Sequence, residues 1–246
     1  MAIPASALIR YCGITTHGRS ANLHLLWPAH FLILGAVPLL AAILAAIQRR
    51  LSPGFRWLRI GLATTLLLDS ALYYGYLATH GQFAFPDHLP LELCDFTLCL
   101  VVIALFTLNP AIFDLAYYGA VAGTSMALLT PDLWEPFPSW PTIQFFIAHG
   151  LVVTSALYLV WPRQARPRPG SIARAMLVLN IYVAIAGTFD LIFKTNYIYL
   201  LAKPQNASLL DFLGGWPWYI AASEGIAFGL FLLLYLPFRQ SAQNKT

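Results

Sequence analysis

The chain has 246 residues, 59% hydrophobic and only 10% charged, with a formal net charge of +4. A soluble domain carries about 25% charged residues to cover its surface, so this composition excludes a water-soluble globule and calls for a bilayer. The basic excess lies in loops, with no basic run interleaved with aromatics, which excludes a nucleic-acid surface. Cys12, Cys94 and Cys99 make no disulfide framework.

Residues 1–26 mix Pro, His, Arg and Asn, lack a signal-peptide apolar core, and read as an N-terminal arm. Seven apolar stretches near the roughly 20 residues needed to span a bilayer follow. They run from Trp27 to Gln48, Phe55 to Thr79, Leu89 to Leu108, Ala111 to Thr130, Pro141 to Trp161, Ser171 to Thr195 and Pro217 to Phe238. Breakers separate them: Ser52-Pro53-Gly54, Asn109-Pro110, the Pro131 to Pro141 segment, Arg166-Pro167-Arg168-Pro169-Gly170 and the Lys203 to Pro217 loop. Pro90 suits a first helical turn. The expectation is an all-α fold: one seven-helix transmembrane domain over 1–246, in the cell membrane, with lipids as its surroundings.

Ten of the fourteen Lys and Arg residues fall on one side of this arrangement, including Arg49, Arg50, Arg56, Arg59, Arg163, Arg166, Arg168 and Arg174. The positive-inside bias puts that side in the cytoplasm, with the N-terminus out and the C-terminus in. Trp134, Trp140, Trp216, Trp218 and Tyr197 would form the outer aromatic belt, and Trp57 and Trp161 the inner one. Asn206-Ala207-Ser208 is a glycosylation sequon that has meaning only in a eukaryotic secretory pathway.

Ionisable residues within apolar spans are costly and mark interior sites. At about 1.5 Å rise per residue, Asp69, Glu92, Asp95, His149, Asp190 and Glu224 all fall in the outer half-membrane. Asp114 is the exception, near the inner start of the fourth span. Each one has a bland alternative as a paired structural group or a snorkelling end residue. Asp69, His149 and Glu224 are expected to converge. Gly119-x-x-x-Gly123 and Gly225-x-x-x-Gly229 read as close helix contacts.

Cys94 stands in the first turns of its helix, where the dipole favours a thiolate, although Glu92 and Asp95 oppose it. His149 lies deep in its span and has the chemistry to take a thiol proton. Cys99 is a rival nucleophile on the stripe of Glu92 and Asp95. Both cysteines also read as inert packing residues, and His149 as a hydrogen-bonded core histidine. His30, His80 and His88 sit on the outer rim without a close ligand pair, so no metal and no cofactor is expected.

Several motifs carry a resemblance: Leu89-Pro90-Leu91-Glu92-Leu93-Cys94, Leu128-Leu129-Thr130-Pro131-Asp132, Gln144-Phe145-Phe146-Ile147-Ala148-His149, Thr195-Asn196-Tyr197-x-Tyr199-Leu200 with Lys203-Pro204, and Ser208-Leu209-Leu210-Asp211 running into Trp216-Pro217-Trp218-Tyr219. Together with His30 they resemble the YwaF-type family of bacterial integral membrane proteins. That family is similar to the eukaryotic transmembrane-protein-164 group, lipid acyltransferases that use a cysteine and a histidine. Glu92, where the bacterial pattern often has histidine, and Gly215, where proline is common, depart from it. Which residue here stands for the acyltransferase cysteine stays open.

The reading favoured is an outward-facing site in a lipid acyltransferase, with Cys94 as nucleophile and His149 as base and then acid. Glu224, Asp69 or Asp190 would orient the histidine, and Asn196, Tyr197 and backbone N–H groups would hold an oxyanion. The alternative is a small-solute or proton-linked transporter or receptor without catalysis, its intramembrane carboxylates forming a relay or pocket.

Overall fold

Every regular element among the described residues is helical. The structure, a computed structural model, describes residues 27–51, 55–133, 135, 137–204 and 208–243. The expected N-terminal arm with Cys12, Trp134 of the aromatic belt, and Asn206 and Ala207 of the sequon lie outside them. In chain order the helices are α1 (Trp27–Arg50), α2 (Trp57–Thr79), α3 (Leu93–Thr107), α4 (Pro110–Tyr118), a π-helical segment (Gly119–Thr124), α5 (Ser125–Leu129), α6 (Trp140–Val160), α7 (Ser171–Phe193) and α8 (Trp218–Gln243). Two 3₁₀ turns, Tyr197–Tyr199 and Leu209–Leu213, lie between α7 and α8.

Five segments among the described residues are long and apolar enough to cross a membrane: Pro28–Arg50, Pro110–Leu129, Trp140–Val160, Ser171–Phe193 and Trp218–Arg239. The third expected span is shorter than predicted. α3 starts at Leu93, not Leu89, because Glu92 is extended backbone and forms a capping box with Asp95, whose Oδ2 accepts the Glu92 N–H at 3.2 Å. α2 has the length of a span but is not among the five.

Local chemistry sets the other ends. Leu108 turns left-handed (φ 52°), and Asn109 then caps α4 by accepting the Ala111 and Ile112 N–H groups. Pro110 occupies the first position of α4, where an N–H is not needed. Left-handed Lys194 (φ 61°) stops α7 two residues before the expected end. At the end of the π segment the hydroxyls of Thr124 and of Ser125, first in α5, reach carbonyls five residues back, Gly119 and Ala120. Such bulges recur at functional sites.

α6 is the central helix, in contact with α1 to α5. Gly150 gives α1 its close approach, since a Cβ there would stand 3.3 Å from Val37 Cγ2. The main core forms where α3, α4 and α6 meet, with Leu105, Phe113, Tyr118 and Tyr158 essentially inaccessible. In lipid there is little hydrophobic drive between helices, so packing and interhelical hydrogen bonds hold the bundle, each bond contributing roughly 0.6–2 kcal/mol. Gln144 to Asp69 (2.8 Å), Tyr158 to Gln48 (2.8 Å), Thr154 to the Val37 carbonyl (3.2 Å) and the Tyr118–Ser171 pair (2.9 Å) are of this kind.

The bundle has two chemically different ends. At one, Arg49 donates to the Trp161 carbonyl, Arg59 to the Leu105 carbonyl, and Arg168 and Arg174 clasp Asp114. Asp114, near the start of α4, is the fully buried centre of this arginine end. At the other end α2 finishes, α3, α6 and α8 begin, and a cavity opens.

Candidate functional site

The cavity measures about 1160 Å³, larger than the roughly 300–1,000 Å³ of ordinary small-molecule pockets. Its mouth is acidic and aromatic: Asp87, Glu92, Asp95, Asp132 and Glu135 line it together with Tyr73, Tyr74 and Tyr199. No Lys or Arg does so among the described residues. The rest of the wall is mostly apolar, from Leu100 of α3 to Leu230 of α8, with Thr97, Gln144 and His149 among its polar members.

Cys94 and His149 line this same cavity. Cys94 is the second residue of α3, half-buried, its helix start held by the capping box and by the loop beyond α7. That loop reaches over: the Ile198 N–H donates to Glu92 Oε2 at 3.2 Å, and the Tyr182 hydroxyl of α7 donates to the Leu91 carbonyl at 3.0 Å. The His149 Nδ1–H donates to the Phe145 carbonyl at 2.7 Å, and the ring stacks on Phe145 with centroids 4.0 Å apart. A carbonyl only accepts, so Nδ1 carries a proton and Nε2 is the nitrogen left to act as a base. Among the described residues no hydrogen bond joins the Cys94 thiol to His149. Cys99 is exposed and off the cavity wall.

The other expected site residues divide. Glu92 and Asp95 are at the mouth. Asp69 is buried behind the wall, accepting from Gln144, which itself lines the cavity. Glu224 is exposed and accepts from Asn180 of α7 at 2.8 Å. The expected convergence of Asp69, His149 and Glu224 therefore does not occur: His149 lines the cavity, Asp69 is buried behind its wall and Glu224 is exposed. Asp190 is fully buried and takes the Thr195 hydroxyl (2.7 Å) and the Tyr197 N–H (2.9 Å) on Oδ1, organising the end of α7 instead of orienting His149. His30 donates to the Leu128 carbonyl at 2.6 Å, a strut between α1 and α5 away from the cavity.

The two side chains expected at an oxyanion are committed elsewhere. Asn196 Oδ1 accepts the Leu201 and Ala202 N–H groups, and its Nδ2 donates to the Ala202 carbonyl. The Tyr197 hydroxyl spends its one proton on the Pro86 carbonyl at 2.7 Å and accepts the Leu89 N–H at 2.9 Å. Burial pushes Tyr197 up to about 12. Both residues fold the loop that roofs α3.

The sequence reading passed over Asp132, Gln144 and Tyr199 as site residues, although each lies in a motif that carried the resemblance. The Tyr199 hydroxyl donates to Asp132 Oδ2 at 2.7 Å, and the Tyr199 carbonyl accepts from the Tyr219 hydroxyl. Burial and then the Asp132 carboxylate raise the Tyr199 pKa well above the usual phenol range, so this bond persists at neutral pH. The π segment supplies Gly119, Ala122 and Gly123 to the wall. Gly119 is filled by its neighbour, since a Cβ there would lie 2.7 Å from Thr97 Oγ1; at Gly123 a Cβ would meet nothing within 4 Å.

The model of the TMEM164 family matches residues 19–235. The chain belongs to the TMEM164 family. It is thus an integral membrane protein of the TMEM164 family, and its apolar helices fit a lipid environment. No curated protein and no solved structure matches the chain. The match covers the whole cavity, from the α2 tyrosines to the α8 residues of its wall, so this TMEM164-family member carries its site within the family region.

Proposed function

We propose that the protein is a lipid acyltransferase of the cell membrane in which Cys94 is the nucleophile and His149 the general base. The observation that carries this reading is the shared cavity: a thiol at a helix start and a histidine whose Nδ1 is held by the Phe145 carbonyl line one space that is polar at the mouth and apolar below. A lipid ester has this polarity. The thiol proton passes to His149 Nε2, and Cys94 Sγ bonds to the acyl carbon of a donor lipid. The ester C–O bond breaks, and the leaving alkoxide takes the proton from His149. The acceptor hydroxyl then gives its proton to Nε2, attacks the thioester and releases the thiolate, which regains that proton. The N–H groups of Leu93 and Cys94, first in α3, have no intrahelical acceptor and supply oxyanion donors in place of Asn196 and Tyr197. Catalytic hydrogen bonds tighten when substrate is bound, so the thiol and the imidazole meet in the loaded site.

In this reading α2 and α3 complete seven spans, and the arginine end lies in the cytoplasm. The cavity opens outward, and the chain is of the bacterial YwaF type. A second reading, a cation- or proton-linked transporter or receptor, is favoured by the five carboxylates at a mouth that has no Lys or Arg among the described residues.

The test is the purified protein in phospholipid vesicles, with lysolipid and acyl-exchanged product followed by mass spectrometry. Cys94→Ser and His149→Ala should abolish exchange while folded protein is retained, and Cys99→Ser should leave it unchanged. A lipid-like electrophile should label Cys94, and much less so in His149→Ala. Exchange persisting in Cys94→Ser would sink the covalent mechanism; cation-driven uptake without any exchange would establish the second reading.

A further inference from the structure

Beneath the mouth the cavity continues as an apolar shaft between α4, the π segment, α7 and α8. Leu115, Tyr118, Ala175, Leu179 and Phe231 line its deep part. The rings of Tyr118 and Phe231 stack with centroids 4.6 Å apart, and the Tyr118 hydroxyl is tied to Ser171 Oγ at 2.9 Å, so Phe231 closes the shaft with the inaccessible Tyr118 packed behind it. Phe231 lies thirteen residues into α8 from Trp218, roughly 20 Å from the mouth end at 1.5 Å per residue. Gly123 lies six residues from Leu129 at that end, roughly 9 Å down. The shaft therefore runs on for roughly 10 Å past Gly123 before it meets the stack.

Its walls favour one kind of occupant. Protein interiors are close-packed, and an unfilled apolar void forfeits dispersion contacts along its whole lining. A hydrated small solute has no partner for its polar groups in such a shaft. A lipid chain has no polar group to desolvate there and restores the contacts. Passage depends on the π segment. Gly119 is closed by Thr97, whereas Gly123, on the cavity wall, has open space where a side chain would stand.

We propose that the shaft is an acyl-chain channel: it seats one lipid chain past Gly123, and the missing side chain there, with the Tyr118–Phe231 stack as floor, sets the longest chain accepted. This rests on the reading that the cavity takes a lipid, but seating a chain requires no turnover.

The experiment uses the full chain in vesicles of phosphatidylglycerol whose acyl chains end in a photoactivatable diazirine, in a short-chain and a long-chain version, with crosslinks mapped by mass spectrometry. In the unaltered protein the long chain should mark the Tyr118, Leu179 and Phe231 region, and the short chain the wall nearer Gly123. Gly123→Leu should cut deep labelling by the long chain roughly tenfold or more while short-chain labelling survives. Gly225→Leu is the control: it adds the same side chain at another helical glycine with nothing within 4 Å, off the cavity wall, and should change neither. If Gly123→Leu does not fold, Ala227→Phe narrows the shaft from α8 and should act alike. Deep labelling that survives both substitutions, an equal loss in Gly225→Leu, or no deep labelling in the unaltered protein overturns the channel. Deep labelling without acyl exchange upholds the channel and removes the acyltransferase; exchange without deep labelling does the reverse.

Discussion

Removing Asp114 measures what holds the arginine end. The carboxylate is fully buried and takes five hydrogen bonds: Oδ1 from the Arg168 backbone N–H (3.0 Å), and Oδ2 from Arg168 Nε (2.9 Å) and Nη2 (2.8 Å) and Arg174 Nε (3.3 Å) and Nη2 (2.9 Å). Breaking a buried pair costs about 3–5 kcal/mol when the remaining charge stays buried and uncompensated. Asp114→Ala leaves two guanidiniums whose side chains are 41% and 43% exposed. Water or headgroups reach these, which discounts the cost to about 2–3 kcal/mol. Arg174→Ala alone keeps Asp114 paired with Arg168, and should cost about 1 kcal/mol, as should Arg168→Ala. Removing both strands a carboxylate with no cation in a fully buried position, about 3–5 kcal/mol.

The double arginine variant should thus exceed the sum of the singles by about 1–3 kcal/mol, an interaction energy that measures the shared partner. Denaturant-titrated unfolding in mixed micelles, followed by tryptophan fluorescence, gives these differences directly. Strict additivity of the two arginines, or Asp114→Ala within about 0.5 kcal/mol of the unaltered protein, would refute the reasoning.

Gly119→Ala should destabilise by about 1–3 kcal/mol through overpacking against Thr97, and Thr97→Ala, which removes the Oγ1 and Cγ2 atoms at 2.7 and 3.0 Å, should restore most of it; no rescue in that double-mutant cycle refutes the contact. Asn196→Ala strips three backbone partners from the loop over α3 and should lower stability by about 2 kcal/mol and expose the 196–202 amides to hydrogen exchange; unchanged exchange there would contradict the loop's dependence on it. The pKa of Tyr199 is raised in the folded state, so its contribution is fully present below the unfolded phenol value near pH 10 and is lost as pH rises through the folded value. Tyr199→Phe should therefore weaken the alkaline loss of stability above about pH 10, and parallel profiles would count against the Asp132 bond. Reporter fusions after Arg50 and Arg168 should both report cytoplasm, and a periplasmic signal at Arg168 would overturn the seven-span arrangement.

The helical class was legible because it depends on quantities that add along the chain: apolar length, breakers and caps. Depth is such a quantity too. It brought Cys94, Glu92, Asp95 and His149 to one level, and the structure puts all four on the cavity wall. The face of a helix is not legible in this way, because each residue turns it by about 100° and only the neighbouring helices decide which face is inside. Glu224 was read into the same site from its place along α8, yet it meets Asn180 on the exposed side of α7 and α8. Long-range polar partnerships fail for the same reason. Arg168 reads locally as part of a Pro- and Gly-rich breaker, while its guanidinium returns to a carboxylate 54 residues earlier. The two glycines of the π segment make the point most sharply. Both fit a motif for close helix contact, and Gly119 does meet Thr97. Gly123, four residues on, faces open space, because the wider π turn and the start of α5 carry it round to the cavity. One pattern of small residues therefore serves two opposite ends: at Gly119 it lets protein in, and at Gly123 it keeps protein out, which is the condition for a shaft at that level of the bundle.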